Sequence, residues 1–520
     1  MLERRGRFGT DSNLPPALQR ARVAELFGER CFSDFVRFLS HDLVCAQILS
    51  RYGHELGEQS TSMPTLCLFD NALGQDLSCP KTTVIESSAN NSCLLNGLKY
   101  FLSDSNNNSN QFLVLARSTE QQQSHLDFYV VDRSTLHSKH IELNHSVSQE
   151  DNFDLTQSKL SSVRFADVNL PVSCRLGDRG SGYLTAVNTL SSNHYLFGAA
   201  VLGSMRNVID ALTQDEHALI DASDATINVL LDLKAERLTR LALMTYALES
   251  VVYYVAASQS SITDAKLDNL IILKLATNVL QFGAFTASIA FGLTRPEFTR
   301  QLLDSSVLSS WMLDQDTIAK WIAMSGLTTF ARANAENLSA MRNIYHMPHE
   351  HAQLNKWINK TLGYDHLGPK TKIKYRNPKC KLAEDFHKNL KKQAIDIELC
   401  LNQLEAALIR LLGKFGKDIE DQQRVLRRIA NITTDLYIAH VVCARATQSH
   451  TLRQDAQSQV ELDWASLIAD EATTRVKREL VAILDKERIS HQNDQLREKV
   501  AVFVSSHNGY AIDSPLNRMW

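Results

Sequence analysis

The chain has 520 residues, with 55 Lys+Arg against 58 Asp+Glu and a net charge of -3, which excludes a nucleic-acid binder driven by bulk charge. Hydrophobic residues at 44% exclude the disordered class and leave room for a large buried core. Nine scattered cysteines without a C-x-x-C pair exclude a disulfide framework and a thiolate zinc site, and they suit a reducing compartment.

No apolar run reads as reaching the roughly 18 residues of a membrane span. The best candidate, Leu241 to Ala257, is broken by Glu249 and reads as a buried helix. Arg4, Arg5 and Arg7 stand beside Glu3 and Asp11, a weak organelle-targeting signal. Ala17 to Phe27 and Phe32 to Tyr52 show apolar residues three and four apart and predict helices. From Pro64 to Pro171 short alternating segments predict strands. Ser92 to Ser103 contains Asn96-Gly97 between apolar runs and predicts a hairpin. Gln111 to Ser118 and His125 to Asp132 follow as strands, separated by polar loops, and the set predicts a small β-barrel or sandwich.

From Gly182 onward the chain reads as helical. Ser181 to Leu212, Leu230 to Ser258, Asp264 to Phe291 and Gln315 to Leu338 predict a four-helix bundle. Asp314 or Asp316 can cap the last of these, whose buried face carries Ile318, Trp321, Ile322 and Leu327. The polar stretch 339–381 reads as a linker. Leu382 to Phe415 and Asp418 to Thr447, joined at Gly416, are strongly amphipathic, and Gln459 to Lys486 and Gln492 to Ser505 are two further helices.

Several stretches resemble the acyl-CoA dehydrogenase family. CLFDNALGQD (Cys67 to Asp76) is similar to its LTEPxxGSD loop, and LLNGLKYFLSD (Leu94 to Asp104) to the LNGxKxWIxN hairpin beside the flavin. LGDRGSGYLTAVNTL (Leu176 to Leu190) resembles the LGxxGxGFxxAMxxL entry into the bundle. FGKDIEDQQRVLRRIANITTDLY and the terminal SPLNRMW resemble the extra C-terminal domain of the very-long-chain and member-nine subgroup. The resemblance implies a mainly α fold with a central β-barrel. Its parts are a shortened N-terminal helical domain (1–60), a β-barrel (61–175), a bundle (176–338), a linker (339–381) and a C-terminal helical domain (382–520).

The same resemblance locates the chemistry. The family removes a proton from the acyl α-carbon with a carboxylate while hydride passes to FAD. SWMLDQDTIAKWIAMSGL aligns with FEGTNDILRLFVALQG, so Met312 takes the place of the catalytic glutamate and Trp311 that of the Phe. A thioether accepts no proton. The other base position used in the family falls on Asn193, followed by His194, a bundle histidine expected to be satisfied by a partner. For the cofactor, Phe101 and Ser103 match flavin-side positions. Asp221 replaces an arginine that reaches FAD, and Ser288 lies within AFTASIA (Ala284 to Ala290), where the family has QIMGGMG. Both changes weaken the expected hold on FAD, by charge and by filling space that glycines leave open.

His346, His349 and His351 read as a polar loop, so no metal is expected. The basic run Lys370, Lys372, Lys374, Arg376 matches the subgroup's membrane-association segment and would gain about 1 kcal/mol per residue on an anionic bilayer. Three readings follow: an inactive scaffold, a working FAD-dependent acyl-CoA dehydrogenase of fatty acid β-oxidation, and a binder of acyl-CoA without turnover. By resemblance the first would be a homodimer on the mitochondrial inner membrane, meeting complex I assembly proteins such as ECSIT.

Overall fold

The computed structural model describes residues 15–52, 64–70, 80–87, 92–103, 111–120, 123–133, 140–145, 160–220, 227–259, 266–292, 294–312, 315–342, 347–362, 381–484, 489–507, 509 and 512. These form two compact units, 1–321 and 322–520, with the boundary inside a helix.

The first unit opens with helices α1 (Pro16–Arg30), α2 (Phe32–Arg37) and α3 (Ala46–Tyr52), the last two joined by a π-helical turn at Phe38–Cys45. Strands follow: β1 (Thr65–Cys67), β2 (Thr83–Ser87), β3 (Ser92–Ser103), β4 (Gln111–Glu120), β5 (Gln123–Asp132), β6 (Ile141–His145), β7 (Leu160–Pro171) and β8 (Arg175–Leu176). They make one mixed sheet in the order β6-β7-β3-β2-β4-β5-β8, with β1 against β4. Val84, Leu95, Phe112, Val114, Val163 and Phe165 pack its core, with Phe112 and Phe165 edge to face at 6.1 Å.

The expected barrel is corrected to an open sheet. Among the described residues the path ends at β6 and β8, which do not pair with each other. Closure requires two edges long enough to hydrogen-bond at a common tilt, and β8 is only two residues long. The expected hairpin at Asn96-Gly97 is corrected as well, because both residues lie inside the continuous strand β3. Here the glycine serves close approach: a Cβ on Gly97 would sit 2.7 Å from Thr82 Cα. The register against β7 shifts between Leu95 and Gly97, and Asn96 bonds across it, its Nδ2 donating to Asp167 Oδ1 at 3.0 Å.

Beyond the sheet run α4 (Gly182–Ser191), α5 (His194–Ile220), α6 (Ile227–Ser258), α7 (Lys266–Phe291), α8 (Pro296–Met312) and α9 (Gln315–Ala333). The helix expected from Ser181 is split at Ser192–Asn193, and α8 is an additional helix. α5 is the central rod, packed by α1, α6 and α7. Glycines make the α1–α5 crossing: a Cβ on Gly28 would overlap the Ala200 backbone, and one on Gly203 the Glu25 carbonyl. Arg206 of α5 pairs with buried Glu25 of α1 and with Glu249 of α6, and Tyr253 donates to Glu25. Contrary to the sequence reading, α7 and Ala235–Ser258 of α6 are long and apolar enough to cross a membrane. With 78% and 56% of their apolar windows buried, both behave as core helices.

The second unit contains α10 (Ala335–Arg342), α11 (Pro348–Leu362), α12 (Leu382–Asp385), α13 (Lys391–Phe415), α14 (Gln423–Arg453), α15 (Ala456–Leu484) and α16 (Ile489–Ser506). Much of the expected linker is therefore helical. Pro348 begins α11, where a missing N–H costs nothing, and α11 buries Ile358 completely while packing on α13. Gly416 ends α13 at φ +58, followed by a 3-10 turn at Gly416–Asp421, and α14 lies along α15.

Candidate functional site

The candidate site residues lie at the start of α5, at the end of α8 and on the interior strand β3. Asn193 is buried at the turn between α4 and α5. Its Nδ2 donates to Gln47 Oε1 at 3.1 Å and to the Thr189 carbonyl at 2.8 Å, while Gln47 Nε2 returns a bond to Asn193 Oδ1 at 3.4 Å. This amide pair ties α3 to the bundle and is neutral in both directions. Gln47 escapes a sequence reading because 146 residues separate it from its partner.

His194 is the first residue of α5 and only 5% exposed. Among the described residues its Nδ1 is buried without a hydrogen-bond partner, so at this atom the expectation of a satisfied histidine is corrected. Burial alone lowers its pKa to about 4, so the ring is neutral at physiological pH. Beside it the Tyr195 N–H donates to Asn269 Oδ1 of α7 at 3.1 Å. The turn between α4 and α5 thus holds an amide pair and an uncharged imidazole.

Met312 is the last residue of α8, and its side chain lies outside the described residues, as do that of Trp311 and all of Asp314. Asp316 is exposed in the first turn of α9, where a carboxylate complements the helix dipole.

On the sheet side, Phe101 and Ser103 belong to β3, with side chains outside the described residues. The same strand carries Lys99, fully buried and paired with Asp70. Lys99 Nζ also donates to the Leu68 carbonyl at 3.0 Å, and Asp70 accepts from Thr82 N at 2.6 Å and Thr82 Oγ1 at 3.0 Å. Burial lowers the lysine's pKa and the Asp70 charge opposes that shift. The network locks the chain after β1 onto β3, helped by the Phe69–Tyr100 bridge. Asp70 and Lys99 stand inside two of the quoted motifs, and the usable signal was a lysine within an apolar strand.

Asp221 and the basic run Lys370, Lys372, Lys374, Arg376 lie outside the described residues, as does His346. Ser288 sits on α7 and gives its hydroxyl hydrogen to the Phe285 carbonyl at 2.9 Å. Around it Ala284, Thr286 and Ala287 are buried, whereas Phe285 and Ile289 are 57% and 47% exposed. His349 and His351 fall on α11, and no cluster suited to a metal exists among the described residues. The seven described cysteines are free thiols.

Residues 388–510 match the family described as ACAD9/ACADV, C-terminal domain. Over 408 residues the chain is 23% identical to the mitochondrial very long-chain specific acyl-CoA dehydrogenase of Bos taurus, covering 75% of this chain and 58% of that protein. The Macaca fascicularis protein of the same name is 22% identical over 535 residues, covering 96% and 76%. An acyl-CoA dehydrogenase complexed with FAD from Bacillus anthracis superposes with a TM-score of 0.69 at 16% identity, covering 93% of this chain and 80% of that one. Butyryl-CoA dehydrogenase from Megasphaera elsdenii gives 0.52 at 16% identity, covering 61% and 84%. The chain is therefore an acyl-CoA dehydrogenase-like protein, with the fold of that family and, over residues 388–510, the C-terminal domain of its very-long-chain branch.

Proposed function

We propose that this is a mitochondrial protein that has kept the acyl-CoA dehydrogenase body, has lost α-proton abstraction, and serves as a homodimeric scaffold in assembly of respiratory complex I. The observation that carries the loss of chemistry is Asn193. At a family base position it is an amide already committed to Gln47 and Thr189, and an amide does not take up a proton near neutral pH. Met312 at the other base position supports the same reading. The assembly role, with ECSIT among its partners, rests on the resemblance of the C-terminal helices to the member-nine subgroup. FAD would supply a hydride acceptor if it bound. The described residues fit it poorly: Ser288 and Ala290 add atoms where the family's glycines bare the backbone, and the Ser288 hydroxyl bonds within its own helix.

One observation favours the alternative, an FAD-dependent acyl-CoA dehydrogenase with a different base. His194 is neutral and its Nδ1 has no partner among the described residues, so it can accept a proton, although a pKa of about 4 makes it a weak base. The visible spectrum of the protein, purified without added flavin and again after FAD and palmitoyl-CoA, separates the two. The scaffold reading predicts no bleaching of flavin absorbance by palmitoyl-CoA. Bleaching that disappears in His194→Leu would establish the alternative. Capture of ECSIT and other assembly proteins from mitochondria by the tagged chain tests the partner. A capture lacking them would remove the assembly role.

A further inference from the structure

We propose that an arginine-lined groove in the second unit, between α14, α15 and α16, binds a multiply charged phosphate-bearing ligand. It is independent of any chemistry in the first unit.

The sequence QRVLRRIAN places Arg424, Arg427, Arg428 and Asn431 at helical spacings of three and four on one face of α14. Arg478 from α15 and Arg497 from α16 complete the lining of a cavity of about 450 Å³. Among the described residues, five guanidinium groups meet there with only two carboxylates, Asp494 and Glu479. The groove continues into a wider one of about 1000 Å³ that shares Arg424, Arg428 and Asp494 and adds Arg410 and Lys414 together with the carboxylates Asp421 and Glu498.

Asp494 is shared three ways. Its Oδ2 lies 2.8 Å from Arg428 Nη2, and its Oδ1 lies 3.6 Å from Arg497 Nη1 and 3.9 Å from Arg424 Nη1. Arg428 also reaches Glu479 at 3.6 Å, and Arg424 donates to the Asp494 carbonyl. In the smaller cavity the lining guanidinium groups outnumber the lining carboxylates five to two, in a concave space of ligand size. Guanidinium forks held by a common carboxylate are ordered in advance of binding, and their paired donors match phosphate oxygens. Arg427 and Arg478 stand exposed at the rim, where an incoming anion meets them first.

The same chemistry is offered by a soluble polyphosphate and by an anionic phospholipid headgroup. The test uses the full chain and two probes: inorganic tripolyphosphate followed by titration calorimetry, and cardiolipin-doped phosphatidylcholine vesicles followed by co-sedimentation. Wild type is expected to bind at least one probe saturably, and binding to one alone identifies the source. Arg427→Glu and Arg478→Glu are expected to weaken binding by about tenfold or more each, with unchanged circular dichroism. Lys392→Glu, an exposed charge reversal on α13 outside the groove, is expected to leave it intact. No saturable binding to either probe, or equal weakening by Lys392→Glu, would overturn the assignment.

Discussion

His194 carries a pH dependence of known sign. Its folded-state pKa, about 4, lies below the ordinary 6.5, so the folded protein binds the proton less readily than the unfolded chain. The stability tied to the neutral ring is fully present above pH 6.5 and is lost as pH falls toward 4, up to about 3 kcal/mol at the usual conversion. Denaturant midpoints measured across that range should fall for wild type and stay flatter for His194→Leu. Parallel curves would mean that the ring is protonated in the fold. The Asp70–Lys99 pair illustrates another solution for a buried group: a partner of opposite sign opposes the penalty of burying the lysine, and Thr82 donates to the carboxylate oxygens.

Glycine performs unlike tasks in different elements, and substitution distinguishes them. Gly203→Ala would push a Cβ into the Glu25 carbonyl at the α1–α5 crossing, an overpacking cost of about 1–3 kcal/mol. On α9 the same change at Gly326 meets no atom within 4 Å, so it should instead stabilise by roughly 0.5–1 kcal/mol through helix propensity. Thermal melting of the two variants checks the contrast. Equal shifts would show that the crossing adjusts freely. The same reasoning explains Gly97, whose neighbour Asn96 suggested a turn. With β2 on one side of β3 and β7 on the other, the strand needs bare backbone beside Thr82 more than it needs a reversal.

At the scale of the whole molecule, α7 turns Phe285 and Ile289 outward one helical turn apart, at 57% and 47% exposure, and Tyr254 of α6 is 48% exposed. Large apolar side chains left outside a bundle this well filled are characteristic of an association surface. A homodimer through this face is the expected outcome, and sedimentation velocity of Phe285→Asp/Ile289→Asp should show monomer. A double variant that sediments like wild type would move the interface elsewhere. The arginine groove belongs to the other unit, so its ligand can be tested without disturbing this surface.

Local pattern alone determined much of the chain. Gln111 to Ser118 and His125 to Asp132 lie within β4 and β5, and the amphipathic runs around Leu382 to Phe415 and Asp418 to Thr447 lie largely within α13 and α14. These segments carry their periodicity in adjacent residues, and helix or strand formation needs little else. The placing of Met312 and Asn193 where the resembled motifs carry a carboxylate belongs to the sequence too, since it rests on motif resemblance. Closure of the sheet was not legible there, because it depends on whether two remote edges meet. Nor was the amide pairing of Asn193 with Gln47, the orphaned Nδ1 of His194, or the gathering of five arginines from three helices. Those were decided by tertiary structure alone: hydrogen bonding and burial depend on distances in space, which sequence spacing does not encode beyond a helical turn or a strand pair.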